Sequence, residues 1–326
     1  MPPAIVDAIN SHRAALLARE SAAMQAQATA WLQVEQAIQA QVDALALELA
    51  NTGTATMGQL QRSRRYRALL EQTRAELRQY SGYMEQRIAA GQQDMITLAL
   101  QHSAQAVNAV ATEAGVIVPF DRLPVSAVNN MVGLAGDGSP LRTILADASR
   151  VGPDALAQEL VNGIALGRNP VAVARRAIRM GLGQSFTRMQ TIARTEQLRT
   201  YRVTTQMAYE RSNVISGYRR LSARDDRVCP GCLMADGRQY PLDVTFESHP
   251  NCRCALIPVL RNVPPVPFQT GQEWFAEQPA ATQRTILGAG RYDAWQRGTP
   301  LDDMVTVKRD ATWGDSVVST AVRDLG

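Results

Sequence analysis

Apolar residues in the first third of the chain recur in the three- and four-residue steps of amphipathic helices. Residues 1–115 are predicted to form three long helices, the first broken at Asn51-Thr52-Gly53-Thr54 and the second ending near Gly91. Residues 1–30 are rich in alanine and carry a weaker stripe, so they are expected to become ordered only on a partner. The pattern predicts an antiparallel bundle or a helical arm docked on a partner, and a bundle is favoured because such stripes more often form a core.

Prolines and glycines interrupt this pattern between residues 118 and 184. Two prolines between 118 and 124 disfavour helix before them and predict a boundary. Ser139 is predicted to cap the next helix, with a proline at its first position, and Asn169 repeats that arrangement. A long helix is then predicted from Ser185 to Ser212, followed by a strand at 214–221.

All four cysteines and one of the three histidines fall between positions 229 and 254. Cys229 and Cys232 have the spacing of a metal knuckle. The second pair of ligands must come from His249, Cys252 and Cys254, which gives five candidates for four positions. Two close pairs at this separation are typical of a tetrahedral zinc site, so we expect one structural Zn²⁺ per chain.

Three other uses of these cysteines compete with a zinc site. The thiols can pack as small apolar residues, or disulfides can form in an oxidising compartment, although no signal peptide is evident in the sequence. A redox centre belongs near the strand-to-helix turn of a βαβ unit, and no such pattern surrounds the cysteines. Between the two ligand pairs, Asp236-Gly237 predicts a tight turn between short strands.

These elements predict a mainly α protein with an α+β C-terminal domain that has a small sheet around the zinc knuckle. Four regions are expected: a long-helix region at 1–117, a helical connector at 118–184, a knuckle domain at 185–262, and a proline linker with a small helical tail at 263–326. No apolar run has the length of a membrane span.

The chain has a net charge of +4, and thirteen arginines lie between Ile164 and Arg227. A basic face attracts phosphate backbones or an acidic protein partner, but it can also be a solvated surface whose arginine stems cover apolar area. The candidates for nucleic-acid or partner binding are Arg175, Arg176, Arg179, Arg188, Arg199 and Arg202.

The sequence offers little for catalysis. It contains no nucleotide-binding glycine loop and no Gly-x-Ser-x-Gly elbow, and its histidines are only His12, His102 and His249. We therefore expect that the protein is not an enzyme.

The cysteine cluster also carries a resemblance to a known family. The run Asp226 to Cys232, then Asp236-Gly237 and His249 to Cys254, together with Ala193-Arg194-Thr195-Glu196 upstream, resembles the Mu F-like phage head morphogenesis family over about residues 185–260. The resemblance implies a minor head protein, present in a few copies per virion and associated with the portal, and it implies no catalytic residues.

The resemblance thus predicts a capsid protein of a tailed phage that acts in head morphogenesis, with a role in DNA packaging or ejection left open. Its expected partners are the portal protein and other head proteins, with contact to packaged DNA also open. Its expected places are the capsid interior or portal vertex and, during assembly, the host cytoplasm. The alternatives are a zinc-containing nucleic-acid-binding module and, third, a zinc hydrolase or ejected toxin.

Overall fold

The structure, a computed structural model, describes residues 4–51, 56–121, 123–309 and 315–325. Its helices and strands follow one another along the chain in this order: α1 Ala4–Asn51, α2 Met57–Arg62, α3 Arg64–Glu113, α4 Leu141–Ala165, α5 Pro170–Ala177, α6 Gly183–Glu210, β1 Ile215–Leu221, α7 Pro230–Ala235, β2 Gln239–Pro241, β3 Ala255–Leu260, α8 Gly271–Ala276, α9 Ala280–Leu287, α10 Ala289–Gln296, β4 Val305–Lys308 and β5 Ser316–Ser319. The mainly α fold class with an α+β C-terminal part is confirmed.

The chain divides into two compact units, neither of them continuous in sequence. The first, unit 1, comprises Met1–Arg19, Gln92–Val132 and Thr195–Gly326; the second, unit 2, comprises Glu20–Gly91 and Gly133–Arg194. The four-part division at 117, 184 and 262 stays a prediction. Within the described residues, no helix combines the length and apolar character that crossing a bilayer requires.

The core of unit 2 forms around an aromatic group. Trp31 stacks on Phe186 with ring centroids 4.9 Å apart, and the ring of Tyr80 meets Trp31 edge-on at the same distance. The hydroxyl of Tyr80 donates to the carbonyl of Gln27, so the buried polar group is satisfied. A π-helical turn at Ile178–Leu182 joins α5 to α6. There Gly181 faces the backbone of α4, where a Cβ would lie 2.8 Å from the amide nitrogen of Leu156.

The core of unit 1 contains the start of α1, which corrects the expectation that residues 1–30 need a partner. The helix begins at Ala4, and Ile5, Val6 and Ile9 are buried with Val107 of α3 and with residues of the sheet. The apolar positions near the N-terminus are few, but they are spaced to lie on one face. Burial of that face within the chain stabilises the helix.

The predicted boundary near Gly91 is wrong, because the helix α3, which is 50 residues long, continues through this glycine. A glycine inside a helix costs only about 1 kcal/mol relative to alanine. Ile88, Gln92 and Met95 are buried on both sides of it, so one packed face runs on. At the other predicted break, α1 ends at Asn51; residues 52–54 lie outside the described residues.

Two local predictions about helix starts had different outcomes. Asn169 caps α5 as predicted, since its side chain accepts the amide hydrogens of Val171 and Ala172. Ser139 does not cap α4; the helix begins one residue later than predicted, and the Ser139 hydroxyl instead donates to Asp137. The aspartate two residues earlier competes for that hydroxyl.

The sheet of unit 1 has the antiparallel order β2-β1-β3. Tyr218 of β1 pairs with Tyr240 of β2 and with Pro258 of β3, and the two tyrosine rings stack with centroids 5.4 Å apart. The predicted strand at 214–221 is confirmed by β1. The turn at Asp236-Gly237 was predicted between two strands, but it joins the short helix α7 to β2. The helix α7 is only six residues long, and Pro230 at its first position favours the start of this short helix.

Candidate metal centre

The first half of the cluster is positioned by α7. Cys229 is the N-cap of this helix, and its Sγ accepts the amide hydrogen of Cys232 at 3.2 Å. Pro230 occupies the first helical position, where its missing amide hydrogen costs nothing. One helical turn therefore aims both sulfurs into the same space.

The second half comes from the loop that precedes β3. Asn251 takes the left-handed conformation at φ 63°, and its amide donates to the hydroxyl of Thr195 on α6. This turn allows His249 and Cys252 to approach the knuckle from the same loop. Nδ1 of His249 lies 2.7 Å from the carbonyl oxygen of Pro250. A donor at Nδ1 leaves Nε2 as the lone-pair nitrogen that can bind a metal.

The sulfur–sulfur separation in the cluster fits a tetrahedral ion, with the histidine nitrogen close by. Nε2 of His249 lies 3.1 Å from the Sγ atoms of both Cys229 and Cys232, and the sulfurs of Cys232 and Cys252 are 3.7 Å apart. With metal–sulfur bonds of about 2.3 Å, a tetrahedron has sulfur–sulfur edges of about 3.8 Å. The four cysteines, all within the described residues, are free thiols. The donor set therefore fits a soft divalent metal.

All five predicted ligands come together, in two overlapping groups. Cys229, Cys232 and His249 form one group, and Cys232, Cys252 and Cys254 form the other; within each, the ligand atoms lie within 4.8 Å of one another. Cys232 belongs to both groups and is therefore central. His249 and Cys254 compete for one position when the other three cysteines bind.

The pKa values of the thiols show why this cluster favours a cation. Hydrogen bonds with Cys232 and His249 outweigh burial and lower the pKa of Cys229 to about 5. A hydrogen bond with Cys232 lowers the pKa of Cys254. The hydrogen bond with Cys252 and burial outweigh this effect and raise the pKa to about 12. Neighbouring sulfurs thus share protons because they cannot all carry negative charge. A metal ion replaces those protons and allows every ligand to ionise.

Two buried arginines flank the thiols. The sequence did not predict that either of them would contact the cysteines. Nη2 of Arg220 donates to the sulfurs of Cys232 and Cys252 at 3.4 and 3.7 Å. Arg202 donates to the carbonyl of Cys252, and both guanidinium groups lie over the ring of Phe246. Burial lowers the pKa of Arg202, whereas the thiolates around Arg220 outweigh burial and raise its pKa. Their positive charge compensates the charge that thiolates bring into a buried site.

A signal for one of these arginines exists in the sequence. Arg219 and Arg220 are neighbours in a strand, so their side chains must leave opposite faces of the sheet. One of them therefore has to face the core, where only an anion or a carbonyl group can accept its hydrogen bonds. Arg219 faces the other side, over the ring of Phe268.

Two of the carboxylates near the cluster are held in ion pairs. Asp225 pairs with Arg253, which raises the pKa of Arg253 through that hydrogen bond. Asp236 is buried and accepts hydrogen bonds from Arg224 and from the Ser222 hydroxyl. Both carboxylates are thus engaged by cations or hydroxyls close to the metal centre.

The six predicted arginines do not share one environment. Arg175, Arg176, Arg179 and Arg188 are exposed residues of unit 2, and Arg176 pairs with Glu159. Arg199 and Arg202 belong to unit 1, where Arg199 pairs with the buried Glu196. Partner binding by these arginines stays a prediction; Arg202 is 2% exposed, so its guanidinium is not presented at the surface. Its carbonyl acceptor at Cys252 and the aromatic ring beside it hold it inside the metal centre.

The C-terminal part of the chain packs against the knuckle helix. A Cβ on Gly231 would lie 2.6 Å from the carbonyl oxygen of Val317 in β5. A Cβ on Gly271, at the start of α8, would lie 2.4 Å from the carbonyl of Leu233. Only glycine permits these two approaches, so α7 contacts both β5 and the start of α8.

A known protein family matches the part of the chain that contains this cluster. Residues 154–257 match the family described as Phage Mu protein F like protein. Comparisons with curated proteins and with solved structures give no match. The matched span begins inside α4, upstream of the residues on which the resemblance rests, and it contains the whole cysteine–histidine cluster. The predicted resemblance is confirmed: residues 154–257 are similar to the Mu F-like family.

Proposed function

We propose that the protein is a minor head protein of a tailed phage that acts in head morphogenesis. The observation that carries the proposal is the match of residues 154–257 to the Mu F-like family. A head protein belongs in the virion and has other virion proteins as partners. Within that role we propose association with the portal, in several copies per virion, at the portal vertex or capsid interior, after assembly in the host cytoplasm. The most specific part of the proposal is that the protein acts in DNA packaging or ejection.

The metal in this proposal is one structural Zn²⁺ per chain. Two observations favour it: the donors are sulfurs and a histidine nitrogen, and the separation of the Cys232 and Cys252 sulfurs fits a tetrahedral edge. Cys229 and Cys232 from α7 would hold the ion together with two of His249, Cys252 and Cys254. The ion supplies a charged cross-link between α7 and the loop before β3, and no chemical step depends on it.

A structural rather than catalytic role is part of the same proposal. A catalytic zinc needs an open position and a nearby general base. Asp225 and Asp236 are engaged with arginines, and five donors surround a site that needs four. These features favour a closed zinc site, in which protein ligands occupy all four positions.

The metal proposal is tested by elemental analysis of freshly purified, tag-free protein. About one zinc per chain is expected for one tetrahedral site. The wild type is compared with Cys232→Ser, because Cys232 belongs to both ligand groups. The Cys232→Ser protein should carry little zinc. Wild-type protein that holds no metal would contradict the proposal.

The head proposal is tested by mass spectrometry of gradient-purified particles. Empty shells, full heads and released tails from a producing culture are analysed separately. We expect the chain in a few copies in heads, with cross-links to the portal. A chain that stays free in the lysate and is absent from every particle would refute the head proposal, whatever its metal content.

A further inference from the structure

One surface of α3 carries a line of arginines. Arg64, Arg67, Arg74 and Arg78 are exposed, with Glu71 among them. At about 100° per residue, these five positions fall within an arc of about 80°. The opposite side of the same helical segment is buried, at Leu69, Thr73, Leu77, Tyr80 and Met84. The arginines therefore form a stripe, called here the α3 stripe, that spans about 21 Å along the helix.

A cleft lies beside the middle of the α3 stripe, inside unit 2. Arg74 and Arg78 line it from α3, and Arg150 lines it from α4, with Asp154 as the one carboxylate among its lining residues. The empty volume within it is about 790 Å³, open to solvent. Three guanidinium groups thus converge on a space large enough for phosphate groups.

Most cations of the stripe are not neutralised by the chain itself. Arg64, Arg67 and Arg78 form no ion pair with a carboxylate of the described residues. Arg74 pairs with Glu71 at 2.7 Å, but both side chains are exposed, and pairs of this kind contribute little. A competing anion can therefore take over the Arg74 guanidinium at small cost.

The charge of the chain is concentrated in the same unit. Unit 2 contains fifteen arginines against eleven aspartates and glutamates, which by itself gives the whole net charge of +4. Unit 1 is balanced. A long-range attraction for polyanions is thus centred on the unit that carries the α3 stripe.

The composition of the stripe favours a phosphate backbone over an acidic protein. Protein interfaces have an apolar or aromatic centre, whereas binding to nucleic-acid backbones needs only cations at regular intervals. None of the large apolar residues exposed in the described part of unit 2 belongs to the stripe or the cleft; they are Leu32, Leu47, Leu166, Val171 and Met180. The 21 Å length corresponds to about six phosphates of one strand along B-DNA.

We propose that the α3 stripe, with Arg150 of the adjoining cleft, binds the phosphodiester backbone of duplex DNA without reading its sequence. This inference stands on the charge and geometry of unit 2 and does not depend on the role in the phage head. It also assigns the contact to residues other than Arg175, Arg179 and Arg188.

The test compares two charge-matched variants of the full chain. In the stripe variant, Arg64, Arg67, Arg74 and Arg78 are changed to Gln. In the control variant, four other exposed arginines of unit 2 are changed to Gln; these are Arg168, Arg175, Arg179 and Arg188. The probe is a fluorescein-labelled duplex of mixed sequence, followed by anisotropy at several salt concentrations. Circular dichroism and metal content verify that both variants fold.

The expected result follows from counterion release. Four lost phosphate contacts lower the slope of log affinity against log salt by about 3.6. Between about 50 and 200 mM salt, the affinity of the wild type therefore falls on the order of 100-fold more than that of the stripe variant. The control variant should keep a slope close to the wild type, and Arg150→Gln alone should weaken binding.

Three outcomes would overturn the proposal. The first is wild-type protein that binds no DNA at low salt. The second is equal loss in both variants, which would mean that net charge alone attracts DNA. The third is a stripe variant that keeps the wild-type affinity and salt slope, which would show that these four arginines do not contact the DNA.

Discussion

Acidification should destabilise unit 1 through a stacked pair of histidines. The rings of His12 in α1 and His102 in α3 lie parallel with centroids 3.9 Å apart, and both side chains are buried. Nδ1 of His102 lies 2.9 Å from the hydroxyl of Tyr201 in α6. Burial, the neighbouring His12 and the charge of Arg19 lower the pKa of His102 to about 4. Burial also lowers the pKa of His12, against a hydrogen bond with Gln105.

The magnitude follows from proton linkage. A histidine with a lowered pKa in the folded state is neutral there, so its stability is present above the unfolded pKa of about 6.5 and is lost as pH falls below it. For His102, moving from about pH 7 to about pH 5 costs about 2 kcal/mol of unfolding free energy. His12 adds to the loss in the same direction.

The assay is urea unfolding of the wild type and of a His12→Leu, His102→Leu variant at both pH values. Each protein carries the same metal centre, so acid-induced metal loss cancels in the comparison. The wild type should lose at least about 2 kcal/mol more than the variant between the two pH values, since the variant lacks both histidines. An equal pH dependence in both proteins would show that the stacked pair does not bind fewer protons in the folded state, and the reasoning would be refuted.

Two further predictions concern the metal centre. Arg220→Met removes the guanidinium that donates to two ligand sulfurs and should weaken metal affinity about 10- to 100-fold, measured by competition with a chromophoric chelator. Arg219→Met, on the opposite face of β1, is the control and should leave the affinity unchanged; equal losses would contradict a specific role. Gly231→Ala should displace β4 and β5 from α7, since overpacking costs about 1–3 kcal/mol, and should expose the residues from β4 onward to protease. Gly82→Ala, which meets no atom within 4 Å, is its control, and an unchanged cleavage pattern in the Gly231 variant would argue against that packing.

Local patterns in the sequence predicted the elements that depend on local chemistry. The caps and periodicities of α5, α6 and β1 are properties of a few neighbouring residues, and Asn169 needs only the amides that follow it. The cysteine spacing likewise placed the knuckle, because Cys229 and Cys232 lie one helical turn apart. These features require no knowledge of the rest of the fold.

Features that depend on distant residues were not predictable in this way. Gly91 looked like a helix end, but burial on both sides of it keeps α3 continuous. Arg202 looked like part of a basic face, yet its acceptor is the carbonyl of Cys252, fifty residues away. In both cases tertiary packing overrides a local signal whose own strength is about 1 kcal/mol or less.

The metal centre joins more of unit 1 than the spacing of its ligands suggests. Arg13 of α1 donates to the carbonyl of Leu221, the last residue of β1, and Arg202 of α6 donates to the ligand loop. On the far side, Gly231 of α7 contacts the C-terminal hairpin. Metal binding contributes to folding stability because the assembled site does not exist in the unfolded chain. A metal held by Cys229, Cys232 and the loop before β3 would therefore cross-link α7, which packs against β5, to the loop whose Cys252 carbonyl accepts from Arg202 of α6.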